Sequence, residues 1–264
     1  MILIIVLFAT FVLLVGCLYF YFFQERFIFL NGKKLPKNDP FHLTTKFEEV
    51  FLPTTDHEEI NAIHLKLTLP KGVVLYFHGA SGNLQKWGKR AAYFLSDGYE
   101  VFCIDYRNYG KSTGSFSEAK MYDDALLAYS HLKTMFQETE IVVYGFSLGA
   151  TFASKVASKN KPKALILEAP FYNLKKAVQN RFRFAPTFLL KYSFSSNKDL
   201  PLVTSPITIF HGDQDQTTSL AGAKELFNCN KASKNEFVEI SSATHHNICS
   251  FQQYKQKLKE ILER

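Results

Sequence analysis

The sequence predicts an α/β chain: a mostly parallel sheet with helices on both faces, a short cap insertion, and one N-terminal transmembrane helix. Three observations predict it. Short β-rich runs alternate with segments of helical period through most of the chain, Ile2 to Phe23 contains no charged residue, and Phe171 to Ser205 alone breaks the alternation.

The apolar run is long enough to cross a bilayer as a helix. A cleaved secretory signal fits poorly, because no basic residue precedes the run and Tyr19 to Phe23 extend it past any cleavage point. Leu14-Val15-Gly16-Cys17 has the form of a bacterial lipobox, but Leu-Tyr-Phe-Tyr-Phe-Phe follows where polar residues are usual. An uncleaved anchor over 1–23 is therefore expected. Arg26, Lys33, Lys34 and Lys37 lie only behind the run, a bias that places the following domain in the cytoplasm. A basic connector is expected over 24–46 and a single domain over 47–264, with 171–205 as the candidate cap. A chain of 264 residues, 47% hydrophobic and 21% charged, can bury one full core.

Within that domain, apolar alternation in Phe47 to Leu52 and Ile60 to Leu67 predicts an edge hairpin turning at Asp56-His57-Glu58-Glu59. Val73 to Phe77, Val101 to Asp105, Ile141 to Tyr144, Ala164 to Glu168 and Ile207 to His211 read as strands buried on both faces. Helices are expected around Lys89 to Ser96, Met121 to Met135, Leu148 to Ser158, Leu220 to Phe227 and Phe251 to Leu262. Chemistry in such sheets collects just past the carboxyl ends of the strands, which narrows the search for a site.

Gly145-Phe146-Ser147-Leu148-Gly149 stands between a strand and a small-residue helix, the setting of a nucleophile elbow. Glycines are needed there because the sharp turn leaves no room for side chains beside the serine. The bare pattern arises by chance in roughly one chain of this length in ten, so its context carries the inference. A base must follow the acid in this chain order, and only His245 and His246 lie beyond Asp213 and Asp215. Either aspartate, on the loop after a strand, can orient an imidazole; Glu168 is a third candidate acid, although Glu-Ala-Pro-Phe reads more simply as the start of the cap. His78-Gly79-Ala80-Ser81-Gly82-Asn83 follows another strand and offers the Ala80 N–H as an oxyanion donor beside the Leu148 N–H. His78 and His211 read as structural.

Further blocks extend this pattern over nearly the whole chain: Phe23-Gln24-Glu25-Arg26-Phe27-Ile28-Phe29 after the anchor, His78-Gly79 to Gly82-Asn83, Asp105-Tyr106-Arg107-Asn108-Tyr109-Gly110-Lys111-Ser112, His211-Gly212 to Asp215, and Ser242 to Asn247. Together they resemble the small membrane-anchored α/β-hydrolases, a group of bacterial hydrolases and eukaryotic depalmitoylating hydrolase-domain proteins. The resemblance implies an α/β-hydrolase fold with Ser147 as nucleophile, Asp215 as acid (Asp213 falling at a variable position) and His245 as base, His246 in reserve. Asn108, Phe146, Ala80, Ser242 and Thr244 depart from the residues usual at those positions, and none removes a triad member. Phe146 and Ala80 make the pocket less polar, which favours an apolar acyl group.

The expected activity is hydrolysis of a carboxylic ester or thioester through an acyl-enzyme, on a small-molecule or acylated substrate, with a serine peptidase and a non-catalytic membrane-bound binding protein as alternatives. No cofactor or metal is expected: phosphate-loop glycine patterns are missing, and His245, His246 and Cys249 lack a metal-site spacing. Cys17, Cys103, Cys229 and Cys249 read as free thiols rather than a disulfide framework. The net charge is +7, with a pI near 9.1. Five of those seven charges fall in 171–205, interleaved with aromatics, a mixture suited to a membrane-lipid partner; a solvated basic face over core aromatics is the competing reading. No nucleic-acid module is present, and the oligomeric state carries no signal in the sequence.

Overall fold

The computed structural model describes residues 1–30 and 32–264; Asn31, within the connector expected over 24–46, lies outside the described residues. Helix α1, Ile2–Ile28, projects nearly all its large apolar side chains outward and is long and apolar enough to cross a membrane. It runs beyond the apolar stretch to include Gln24, Glu25 and Arg26.

Eight strands follow: β1 Phe47–Pro53, β2 Glu59–Leu65, β3 Gly72–Phe77, β4 Tyr99–Ile104, β5 Ile141–Phe146, β6 Ala164–Glu168, β7 Ile207–Gly212 and β8 Glu236–Ile240. They form one sheet in the order β1-β2-β4-β3-β5-β6-β7-β8, with the two pairings of β2 antiparallel and all others parallel. The hairpin expected at the edge is β1–β2. Strand β8 is an addition to the expected set: Glu236-Phe-Val-Glu-Ile forms the far edge, where one side stays wet.

The other helices are α2 Leu84–Ala91, α3 Glu118–Leu132, α4 Gly149–Lys159, α5 Leu174–Arg181, α6 Ser196–Asp199, α7 Leu220–Phe227 and α8 Gln252–Glu263. Alternate residues of the central strands face opposite layers. Val73, Leu75 and Phe77 pack with α3 and α4 residues such as Tyr129, Phe152 and Val156. Val74 and Tyr76 pack with Trp87 of α2 and with Tyr254 and Leu258 of α8. Burial on both faces is why these strands read as near-continuous apolar runs. The helix expected at Lys89 to Ser96 begins earlier, at Leu84, because the Asn83 side chain accepts the Gln85 N–H and caps it; it tightens into a 3₁₀ turn from Ala92.

The segment 171–205 joins β6 to β7 and contains α5, α6 and short 3₁₀ turns. Tyr192 and Phe194 are buried in the same core layer as Phe29, which follows α1. Its attachment to α1 is direct: the wholly buried Gln24 donates to Leu189 O at 3.0 Å and accepts the Lys191 N–H at 2.8 Å. All four cysteines are free, and Cys103 is buried.

Candidate active site

At the end of β5 the chain turns into α4 through Ser147, whose φ is +53°. Neither flanking glycine can carry a side chain: a Cβ on Gly145 would lie 2.5 Å from Gly149 O, and one on Gly149 would lie 2.0 Å from Phe77 O. The Ser147 N–H is taken by Glu168 O on the neighbouring strand, which fixes the turn. Ser147 Oγ lies 3.1 Å from His245 Nε2, and His245 Nδ1 lies 2.7 Å from Asp215 Oδ2. The structure thus brings the three residues together at the carboxyl ends of β5, β7 and β8.

Asp215 is held from several sides. It accepts the N–H groups of Thr217 and Thr218 at 2.7 and 2.9 Å and the Thr218 hydroxyl at 2.9 Å. Burial pushes its carboxyl pKa up, but the hydrogen bond and charge of His245, joined by those N–H donors, outweigh burial and hold it below its ordinary value. A charged Asp215 fixes His245 with its proton on Nδ1, leaving Nε2 to accept from Ser147. Thr218 is a site residue that motif reading passed over; a threonine three positions after a loop aspartate, able to close a turn onto it, was the available signal.

The alternatives separate in space. Asp213 accepts the Ser242 N–H at 2.7 Å and the Ser241 hydroxyl at 3.3 Å, so it pins the loop after β8. His246 is exposed and lies beside Phe146 and His245; partial burial and the charge of its neighbours lower its pKa. Glu168 is buried, paired with Arg90 at 2.6 Å and bonded to the Tyr144 hydroxyl. Burial raises its pKa, against the pull of Arg90. Buried His211 points Nδ1 at Gly212 O and Nε2 at the Thr218 hydroxyl.

The loop His78-Gly79-Ala80 has each of its carbonyls turned to a donor. Tyr106 OH donates to His78 O at 2.6 Å, His78 Nδ1 lies 2.7 Å from Gly79 O, and Tyr109 OH lies 2.8 Å from Ala80 O. Asp105 anchors the other side of the His78 ring, at 3.1 Å from Nε2. Among the described residues the Ala80 and Leu148 N–H groups donate to no other protein group. The block Asp105 to Ser112 thereby acquires a physical meaning: Asp105, Tyr106 and Tyr109 hold the loop, while Arg107 ties Asp56 to Asp124 of α3. Asn108, where glycine is usual, sits at φ +64°, a conformation that asparagine tolerates better than most residues. The Phe146 ring packs against Trp87 and His245, and the Arg90 guanidinium lies 4.3 Å from its centroid. Among the described residues no group of three or more His, Cys, Asp or Glu is placed to hold a metal ion.

A family model described as "Serine aminopeptidase, S33", of the α/β-hydrolases, matches residues 68–198, which include the elbow and the His78 loop. The chain is an α/β-hydrolase. It is 28% identical to protein bem46 of Schizosaccharomyces pombe over 89% of this chain and 82% of that one. It is also 28% identical to the lysophosphatidylserine lipase ABHD12 of Danio rerio, over 65% of this chain and 52% of that one. Human ABHD12B is 30% identical over 59% of this α/β-hydrolase, which covers 49% of it, so the chain spans about half the length of the ABHD12-type relatives. Among solved structures, the Pyrococcus furiosus esterase Pf2001 superposes with a TM-score of 0.73 at 21% identity, covering 89% of this chain and 96% of that one, a likeness of fold. The family match and the relatives named as lipases together support a hydrolase.

Proposed function

We propose that the chain is a membrane-anchored serine hydrolase that cleaves a carboxylic ester or thioester of an acyl lipid or acylated substrate through an acyl-enzyme. The observation that carries the reading is the hydrogen-bonded line from Ser147 Oγ through His245 to Asp215, at 3.1 and 2.7 Å. Ser147 Oγ attacks the acyl carbon as its proton passes to His245 Nε2. The oxyanion is held by the Ala80 and Leu148 N–H groups. As the tetrahedral centre collapses, the bond to the leaving oxygen or sulfur breaks and His245 returns the proton to it. Water, deprotonated by the same imidazole, then releases the acid and restores Ser147.

The relatives named as lipases favour a lipid ester, whereas the family description favours a peptidase. A panel of p-nitrophenyl esters of rising chain length beside aminoacyl p-nitroanilides separates the two: faster ester turnover that rises with acyl length is expected, and turnover of the anilides alone would overturn the ester reading. Stoichiometric labelling by a fluorophosphonate tests the residues. The unaltered chain and His246→Ala should label, while Ser147→Ala and His245→Ala should not; equal labelling of Ser147→Ala would remove the serine from its role. The basic residues behind the anchor support a cytoplasmic catalytic domain, which protease protection in sealed vesicles checks.

A further inference from the structure

The segment joining β6 to β7 buries some of its aromatics and leaves others bare. Phe171, Tyr192 and Phe194 are core residues, but Phe182, Phe184 and Phe188 are 58%, 93% and 82% exposed. Solvated basic residues over an ordinary core do not account for three such side chains within seven positions, and clustered exposed apolar groups mark a contact surface.

Their height relative to a bilayer is set by α1. A hydrocarbon core of about 30 Å takes about 20 helical residues, so a span starting near Ile2 brings Gln24, Glu25 and Arg26 to the interface. The cap is bound at that level: Gln24 holds Leu189 O and the Lys191 N–H, Tyr192 OH donates to Glu25 at 2.7 Å, and the Lys191 ammonium lies 4.8 Å from the Tyr21 ring centroid. Phe188 is adjacent to Leu189, and Phe184 lies at most about 14 Å of chain further on. Arg181, Arg183 and Lys191 interleave with the bare rings, the combination of cations and aromatics that suits anionic headgroups over acyl chains.

We propose that the cap is seated on the bilayer that α1 crosses, with Phe182, Phe184 and Phe188 sunk at the headgroup–acyl boundary and Arg181, Arg183 and Lys191 among the lipid phosphates. The inference rests on the membrane-anchored reading of α1 above. It goes beyond that reading by making the cap a second, peripheral membrane contact whose place is fixed by Gln24.

The test uses the full-length chain in vesicles of phosphatidylcholine and phosphatidylglycerol, with and without acyl-brominated lipid that quenches indole fluorescence on contact. Tryptophan is introduced singly as Phe184→Trp, Phe188→Trp, Phe11→Trp within α1, and Leu69→Trp; Leu69 is 90% exposed just before β3, at the amino ends of the parallel strands. The one native tryptophan, Trp87, is buried and gives a constant background. Emission of Phe184→Trp, Phe188→Trp and Phe11→Trp should shift to the blue and be lost to brominated lipid, while Leu69→Trp emits as in water. Quenching at Phe11→Trp with cap tryptophans quenched no more than Leu69→Trp would overturn the seated cap and leave the anchor standing. A lack of quenching at Phe11→Trp as well would overturn the anchor and the cap together. Blue-shifted cap emission without quenching would assign the three rings to a protein contact and overturn the proposal.

Discussion

Ser147 has a positive φ that costs a non-glycine residue about 1–2 kcal/mol, a strain retained because it presents the hydroxyl to His245. Ser147→Gly and Ser147→Ala should both be inactive, but the glycine variant should melt higher, since alanine keeps the strain and glycine relieves it; equal melting temperatures would deny that the turn is strained. The same reasoning reaches Ser242, at φ +63° where the related pattern has glycine. Its side chain is exposed, and its N–H, which Ser242→Gly retains, is what binds Asp213. Relief of about 1–2 kcal/mol exceeds the roughly 0.4–1 kcal/mol that glycine loses by loosening the unfolded chain. Ser242→Gly should therefore raise stability by up to about 1 kcal/mol in denaturant titration. In the proposed mechanism Asp215 acts by charge, so Asp215→Asn should lower kcat by about 10⁴-fold through loss of the His245 tautomer. Its depressed pKa also has a sign in stability: the contribution is fully present above the ordinary value of 3.8 and is lost as pH falls through the lower folded value. The stability gap between the unaltered chain and Asp215→Asn should close over that acid range in melts taken across pH.

Among the elements, those with a strict backbone demand were legible. Strand β6 coincides with Ala164 to Glu168 and α7 with Leu220 to Phe227, and the elbow was readable because only glycine fits beside Ser147. Strand β8 was not, because a short edge strand with glutamates at Glu236 and Glu239 has little of the doubly buried apolar signal. Nor was the buried cluster of Arg90, Tyr144, Glu168 and Tyr254 behind His245, whose members come from α2, β5, β6 and α8 and meet only in the fold. The Asp105 to Ser112 block was legible as a pattern and opaque as to its work, which is to aim carbonyls. Tyr109 links elements most economically, its hydroxyl lying 2.8 Å from both Phe29 O and Ala80 O. Tyr109→Phe removes the one hydroxyl proton that the Phe29 and Ala80 carbonyls share, at a cost of about 1–3 kcal/mol. With the loop that carries the proposed oxyanion donor released, kcat should fall while KM changes little. A pure stability loss with kcat intact would make Tyr109 a core residue only.

At the scale of the molecule, α1 and the hydrolase domain meet through polar contacts that a simple tether would not need. Gln24 is the last uncharged residue before Glu25 and Arg26, yet it is wholly buried, and both ends of its amide are used on the cap backbone. Phe29, just past α1, packs among Phe116, Tyr192 and Phe194, so the helix exit enters the core layer rather than hanging from it. A buried amide is stabilising only while both partners stay in register, which makes Gln24 the point where loosening α1 is transmitted to the cap. Gln24→Leu preserves helix propensity and bulk but strips a donor from Leu189 O and an acceptor from the Lys191 N–H. Two such bonds are worth about 1–2 kcal/mol together, so the local opening equilibrium should rise about 5- to 30-fold. Hydrogen exchange should therefore accelerate by that factor at the Lys191 amide, while amides of β5 and β6 keep their protection. Acceleration spread evenly over sheet and cap would mean that Gln24 supports the whole fold, and no acceleration at Lys191 would mean that the cap is held by its buried aromatics alone.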